Sequence, residues 1–255
     1  MVFGGALSAC IYLLRVSWRR LFWSRQTMIC LMLLCFAAMA ITAWSMRRTR
    51  TPEDFVEHIF LTIYVTFLLP MFCLSFGTAG IATDVENRTL VYLLVTPLPR
   101  PLIFTAKFAA SLFMSLAWTL GSLVLLCRLG RKPGWEALPV VWQAVLWSTF
   151  AYVALFQLIS VSFRRATILA LAYAVFLETL IGNMPGIVKR LTVSYYTRCL
   201  IFDRGEVLGL DTSGPFNPEL FLPISGESAQ IVLWLITAAL WMAGLWVFTF
   251  REYSR

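Results

Sequence analysis

The residues that could carry covalent or metal chemistry are few in this chain, and they are not grouped. His58 is the only histidine, so a metal site built on two histidines is excluded. None of the 6 cysteines stands in a Cys-x-x-Cys pair, which argues against a zinc site and a disulfide framework. Neither the G-x-S-x-G motif nor the phosphate-binding motif G-x-x-x-x-G-K-[ST] occurs. We therefore predict no catalytic residue, no metal and no cofactor bound by this chain, and no ATP hydrolysis by the chain alone.

Two polar features stand out from an otherwise apolar sequence. One is Glu178, which lies inside a long apolar run. Acids at membrane depth are costly and are often proton relays or substrate contacts, so Glu178 is a candidate intramembrane polar site. The alternative is that it lies near the outer end of its helix and reaches water or a partner side chain. The other feature is a cluster formed by Asp84, Glu86, Asn87, Arg88 and Thr89.

The composition decides which class of protein must position these residues. Hydrophobic residues make up 60% of the chain and charged residues 13%, about half the usual share of roughly 25% in soluble domains. These values exclude a disordered chain and argue against an ordinary soluble globule. The net charge of +8 comes from basic residues that sit between apolar runs, so it indicates contact with a membrane surface and not with nucleic acid.

Six apolar runs are long enough to cross a bilayer, which needs about 20 residues in a helix. Each run is continuous, which argues against a transmembrane barrel and requires helices in lipid. We predict an all-α membrane protein, a single transmembrane domain over residues 1–255 with both termini on one side. Basic residues favour the cytoplasmic side for the termini, once the long outer loop is set aside. The predicted spans are 27–46, 56–77, 102–127, 138–163, 166–188 and 229–250.

Two segments outside the spans have patterns of their own. In residues 1–25, Leu7, Ile11 and Leu14 recur at helical spacing among arginines, which predicts an amphipathic helix lying in the headgroup plane. Residues 189–228 are too long for a tight turn and contain three prolines, so we expect an extracytoplasmic loop with some structure of its own.

The connection over residues 78–101 is the most informative part of the chain. Its polar cluster is followed by a short apolar run that begins at Leu90 and is too short to span a membrane. Pro97 then ends any helix, because the residue before a proline is pushed toward extended geometry. The pattern predicts a short cytoplasmic helix, then a sharp turn back into the membrane through Arg100 and Lys107.

This run resembles the signature of the membrane subunit of type-2 ATP-binding-cassette (ABC) transporters. In that family the loop after the second helix carries an acidic residue, Gly-Thr-Leu, a leucine pair, Pro-Leu-x-Arg, and then a lysine in the next helix. Arg88 stands where the family has glycine. The motif lies within residues 80–107, whereas the six-helix layout resembles the family over the whole chain. The matching residues are Glu86, Thr89, Leu90, Leu93, Leu94, Pro97, Leu98, Arg100 and Lys107.

The resemblance implies a permease that forms a translocation path, most simply as an exporter in a bacterial cytoplasmic membrane. It implies a second permease copy, identical or similar, and a separate cytoplasmic ATPase that binds the ATP and magnesium. The short helix would be the coupling helix that docks the ATPase, and residues 1–25 would be the connecting helix. The residues implied in coupling are Asp84, Glu86, Asn87, Arg88, Thr89, Leu90, Pro97 and Arg100.

Other readings of the sequence stay open beside this one. Arg100 and Lys107 would also suit plain headgroup anchors, since lysine can snorkel. The whole chain could be a channel or a secondary transporter driven by an ion gradient, for which Glu178 is the one candidate site. A membrane-embedded enzyme would need a nucleophile with a base, which nothing in the sequence marks. Binding of an ATPase separates the permease from the enzyme and from the channel or secondary transporter.

Overall fold

Every regular element in the described part of the chain is a helix. The computed structural model describes residues 24–46, 51–82, 99–163, 165–178, 187–208, 210 and 224–251. Seven helices are named here in chain order: α1 Arg25–Ser45, α2 Pro52–Ala79, α3 Arg100–Leu129, α4 Arg131–Ser162, α5 Ala166–Ala172, α6 Val193–Gly205 and α7 Gly226–Phe250. Helix α2 is π-helical over Phe55–Leu68, α5 continues as a π-helical turn Tyr173–Glu178, and 3-10 turns cover Ile187–Leu191 and Glu206–Leu208.

Five of the six predicted spans are confirmed as helices long and apolar enough to cross a membrane. They are α1, α2, α3, α4 and α7. The predicted span 166–188 is helical through Glu178, and residues 179–186 lie outside the described ranges. Residues 1–23 of the predicted amphipathic helix also lie outside the described ranges. The predicted coupling helix lies outside them too, because residues 83–98 are not described.

Helix α4 is the centre of the bundle. It contacts α2, α3, α5, α6 and α7, and small residues at these contacts let the helices approach closely. Gly77 of α2 is one such point, since a Cβ there would lie 3.1 Å from the Cβ of Phe156. Helices α1 and α7 lie at the edge and expose apolar side chains such as Met32 and Trp234. In a membrane these faces meet lipid or another protein.

The turn between α3 and α4 is much tighter than the sequence predicts. The fourth span was expected to begin at residue 138, but α3 ends at Leu129 and α4 begins at Arg131, with only Gly130 between them. Pro133 is compatible with this early start, because a proline in the first turn of a helix removes no needed donor. Arg131 takes up the change in direction with a φ of 57°, a left-handed conformation that costs a side-chain-bearing residue about 1–2 kcal/mol.

Replacing Arg131 by glycine is therefore expected to stabilise the protein. Glycine removes the left-handed penalty but adds backbone entropy to the unfolded chain, so the expected gain is about 0.5–1 kcal/mol, or about 2 °C in the unfolding midpoint. The midpoint can be followed in detergent with a dye that reacts with the buried cysteines as they become exposed. Lys132→Gly, at the next position with ordinary backbone geometry, should lower the midpoint instead; equal losses in both variants would contradict the strain at Arg131.

Helix α6 lies within residues 189–228, the segment expected to be an outer loop with structure of its own. Its residues from Val193 to Phe202 are all buried, and it packs against α2, α4 and α7. With 13 residues it is about 20 Å long, too short to span a bilayer. Helix α6 is thus an integral part of the bundle and not a surface connection.

The depth of α6 follows from its neighbours. Near its C-terminal end, Asp203 lies against Gly226, the first residue of α7, where a Cβ would be 2.2 Å from the Asp203 carboxylate. The N-terminal end of α6 lies about 15 Å from Asp203, measured along the axis of α6. That distance places the start of α6 close to the middle of α7. One turn after that start, the hydroxyl groups of Thr197 and Ser148 are 2.5 Å apart, and Ser148 lies near the middle of α4. Helix α6 therefore begins at mid-depth in the bundle.

Candidate functional site

The base of the loop over residues 83–98 is closed by a lysine. Helix α2 leads into this loop and α3 begins directly after it. Lys107 of α3 is 5% exposed and its ammonium group donates a hydrogen bond to the carbonyl oxygen of Gly80, 2.9 Å away. The last carbonyl groups of a helix lack partners within the helix, and a positive charge there is favourable. Lys107 thus ties the entry of the loop to the helix that leaves it.

The close approach of α2 and α3 at this point depends on Gly80. A Cβ built on Gly80 would lie 2.3 Å from the hydroxyl oxygen of Ser111, which is one turn beyond Lys107 on α3. The two helices therefore meet without an intervening side chain at the position from which the loop departs. We call this end of the bundle, where α2, α4 and α7 finish and α3 begins, the loop end.

Two further helices are capped in the same way at the loop end. Arg100, the first residue of α3, donates from its guanidinium to the carbonyl oxygen of Thr249, in the last turn of α7, at 3.1 Å. Arg251, directly after α7, donates to the carbonyl oxygen of Val161, in the last turn of α4. Each of the three helices that finish at this end therefore has a carbonyl oxygen bonded by a basic side chain from another segment.

A small apolar cluster lies at the same end and joins the same four helices. Phe104 of α3 and Phe248 of α7 are in ring contact, with centroids 5.7 Å apart, and Phe104 also packs over Gly244. The cluster consists of Ile81, Ile103, Phe104, Val161 and Phe248. Ile81 and Ile103 flank the two ends of the loop, so both ends adjoin packed side chains.

The predicted coupling residues Asp84, Glu86, Asn87, Arg88, Thr89, Leu90 and Pro97 lie outside the described residues. Arg100 is within the described residues and lies at the base of the loop. Lys107, which matches the lysine of the family motif, and its partner Gly80 lie there too. Lys107 is buried and bonded within the protein, so the alternative reading of a snorkelling headgroup anchor does not describe its contacts. Arg100 is exposed, and its bond to α7 is compatible with contact to water or headgroups as well.

Glu178, the second polar feature, lies at the N-terminal end of α6. Its side chain is fully buried, and its two oxygens accept hydrogen bonds from the backbone N–H groups of Val193 and Ser194, each at 3.2 Å. The hydroxyl group of Tyr173 donates to it at 3.2 Å. The first N–H groups of a helix lack internal partners and favour a negative charge. Glu178 therefore caps α6 at mid-depth, which is deeper than a position at the outer helix end.

Arg198, one turn and a half into α6, is a second buried charge close to Glu178. It is 3% exposed, and its guanidinium donates to the hydroxyl oxygen of Thr66 on α2 at 2.9 Å. That hydroxyl group donates in turn to the carbonyl oxygen of Leu61, five residues earlier, which matches the π-helical turn. Tyr152 and Glu178 lie close enough to act on the charge of Arg198. These contacts fix α6 against α2.

Sequence reasoning missed the roles of Arg198 and Arg251. Arg198 lies in a segment of mixed composition, where nothing in the pattern separates a buried charge from a solvated one. Arg251 follows an apolar run directly, a position that indicates a basic residue at a membrane boundary and no specific partner. In both cases the partner is a backbone or hydroxyl oxygen on a distant helix, which a single sequence does not reveal.

A family comparison agrees with this architecture. The model of the family described as ABC-2 family transporter protein matches residues 24–250, which includes every helix described above and both ends of the loop. A search of curated proteins gives no match. Since the family match covers most of the chain, the protein belongs to the ABC-2 transporter family, the membrane-spanning permease subunits of ABC transporters.

Proposed function

We propose that this chain forms the translocation path of an ABC exporter and is driven by a separate cytoplasmic ATPase. The loop end of the bundle faces the cytoplasm, both termini lie there, and residues 84–90 form the coupling helix that docks the ATPase. Two permease copies, identical or similar, assemble with two ATPase subunits in a bacterial cytoplasmic membrane. ATP and magnesium bind to the ATPase and not to this chain.

The family match over residues 24–250 is the observation that carries this proposal. The geometry of the loop base supports it. A loop that passes on force needs ends that do not yield, and both ends of residues 83–98 are held by Lys107 and by apolar packing. The concentration of basic residues at this end also fits the cytoplasmic face of a membrane. Glu178, by contrast, is occupied with backbone groups of α6, so the contacts offer no support for an ion-coupled site.

The direct test is purification of the tagged chain from its native membrane in mild detergent. We expect an ABC ATPase in a fixed ratio to the chain, labelled by photoreactive 8-azido-ATP, and ATP hydrolysis that vanadate inhibits. A preparation that retains other known complexes but yields this chain alone, without nucleotide labelling, would contradict the proposal. It would favour a channel or a secondary transporter.

Charge reversals in the loop test the docking assignment. Glu86→Lys and Arg88→Glu are each expected to lower recovery of the ATPase about tenfold or more, because like charges facing each other in an interface cost several kcal/mol. The amount of the chain in the membrane should stay unchanged. The readout is the molar ratio of ATPase to tagged chain after purification.

The matched control for these variants is Glu136→Lys at the opposite end of the bundle. Glu136 lies 3.9 Å from Lys132 in an exposed ion pair, which is worth little to stability. Its reversal changes the net charge as much as Glu86→Lys does. Unchanged ATPase recovery in both loop variants would remove residues 84–90 from the interface, and a loss in the control alone would point to the other end.

A further inference from the structure

Arg251 joins the C-terminal end of α7 to the C-terminal end of α4. It follows the last residue of α7, and its guanidinium bonds the carbonyl oxygen of Val161 in the final turn of α4. Its own N–H continues the helical hydrogen bonding of α7 through the carbonyl oxygen of Val247 at 3.0 Å. The side chain is therefore anchored to one helix by the backbone and to the other by its charge.

At the loop end, a series of adjoining contacts connects the loop to Arg251. The loop leads into Arg100, which bonds Thr249 of α7, while Phe104 packs on Phe248 in the same helix. Two residues after Thr249, Arg251 bonds α4. Helix α4 in turn contacts α2, α3, α5, α6 and α7, so it distributes any displacement through the bundle.

We infer that Arg251 is a positioning residue through which ATP-driven displacement of the loop is passed from α7 to α4. The inference rests on the proposed function, since it requires a loop that an ATPase moves. Arg251 lies outside the motif of residues 80–107 and acts by holding a helix terminus. Its charge matters because a cation at a helix C-terminus is favoured by the helix dipole.

The test measures whether the far end of α4 follows the loop. Spin labels are attached at Met46→Cys, beyond α1, and Lys132→Cys, at the start of α4; both side chains are exposed. Cys10 and Cys35 are replaced by serine, and the complex with its ATPase is placed in lipid nanodiscs. Electron–electron distances are compared without nucleotide and with ATP and vanadate.

In the complex with Arg251 present, we expect the label distance to change by about 2 Å or more, the scale of helix shifts in switching proteins. Arg251→Ala should reduce this change to less than about half, with unaltered ATPase recovery and with an unfolding midpoint lowered by no more than about 2–4 °C. Arg251→Lys, which keeps a cation, should restore most of it. Arg165→Ala, which removes an exposed arginine from the same end, should leave the change intact.

Each result bears on one of the two claims. A full distance change in Arg251→Ala, or no change when Arg251 is present, would overturn the inference while a recovered ATPase still upholds the proposed function. Loss of the ATPase in Arg251→Ala would make Arg251 a docking or folding residue and would overturn it too. Failure to recover an ATPase with the unaltered chain would overturn the proposed function itself. If the alanine variant does not purify, Arg251→Gln is judged by the same criterion.

Discussion

Glu178→Leu is expected to lower the free energy of unfolding by about 3–5 kcal/mol, the usual range when one partner of a buried charged network is removed. Leucine leaves the N–H groups of Val193 and Ser194 without acceptors at mid-depth, where no water replaces them. It also removes the negative charge close to Arg198. In the thiol-dye assay the unfolding midpoint should fall by about 6–20 °C.

Two controls separate the possible causes of this loss. Glu178→Gln keeps one oxygen acceptor but no charge, so it should lose about half as much stability. Glu136→Leu, which removes an exposed acid, should change the midpoint by about 1 °C or less. A Glu178→Leu protein that keeps its midpoint but loses ATP-driven movement would contradict the capping role. It would restore the reading of Glu178 as a residue of the transport path.

Gly134→Ala is expected to have the second largest effect, about 3 kcal/mol of destabilisation. A Cβ at Gly134 would lie 2.3 Å from the carbonyl oxygen of Cys127 and 3.0 Å from its carbonyl carbon. These are backbone atoms, so no rotamer change relieves the clash, and the start of α4 must move away from the end of α3. The midpoint should fall by about 6–12 °C.

Gly121→Ala on α3 is the matched control. Its Cβ would meet nothing within 4 Å, and glycine inside a helix costs about 1 kcal/mol relative to alanine. This variant should therefore raise the midpoint by about 2–4 °C. Equal effects of the two substitutions would contradict the close contact at the turn between α3 and α4.

Hydropathy predicts the long helices well, because a helix that faces lipid must be apolar along its whole length. Helices α1, α2, α3, α4 and α7 agree with the predicted spans to within a few residues, except at the start of α4. There the sequence Arg-Lys-Pro-Gly reads as a loop, yet one left-handed residue lets the helices join directly. A turn of that kind depends on the packing of both helices, which no local pattern expresses.

Hydropathy does not predict the buried helix α6. Its sequence includes two tyrosines, a threonine, a serine, an aspartate and two arginines, and hydropathy assigns such a composition to a loop. The segment is nevertheless buried because Glu178, Thr66 and Ser148 supply partners for its polar groups. Those partners lie on three different helices, so burial here is a property of the assembled bundle and not of the segment.

The candidate site was found in part by resemblance and in part only by geometry. The motif predicts that Arg100 and Lys107 matter, but it does not show that they cap α7 and α2. Arg251 has no place in the motif, although it does for α4 what Lys107 does for α2. Residue types at a membrane boundary are readable from sequence, whereas the helix terminus that each one bonds is not.

The polar character of α6 has a consequence for how the chain is made. Long apolar helices can leave the translocon for lipid one at a time as the ribosome delivers them, but a segment with a buried arginine gains nothing from lipid by itself. Helix α6 is synthesised before α7, the helix that covers one of its sides. Because α7 completes the surroundings that bury α6, we expect α6 to reach its final position only after α7 has been delivered.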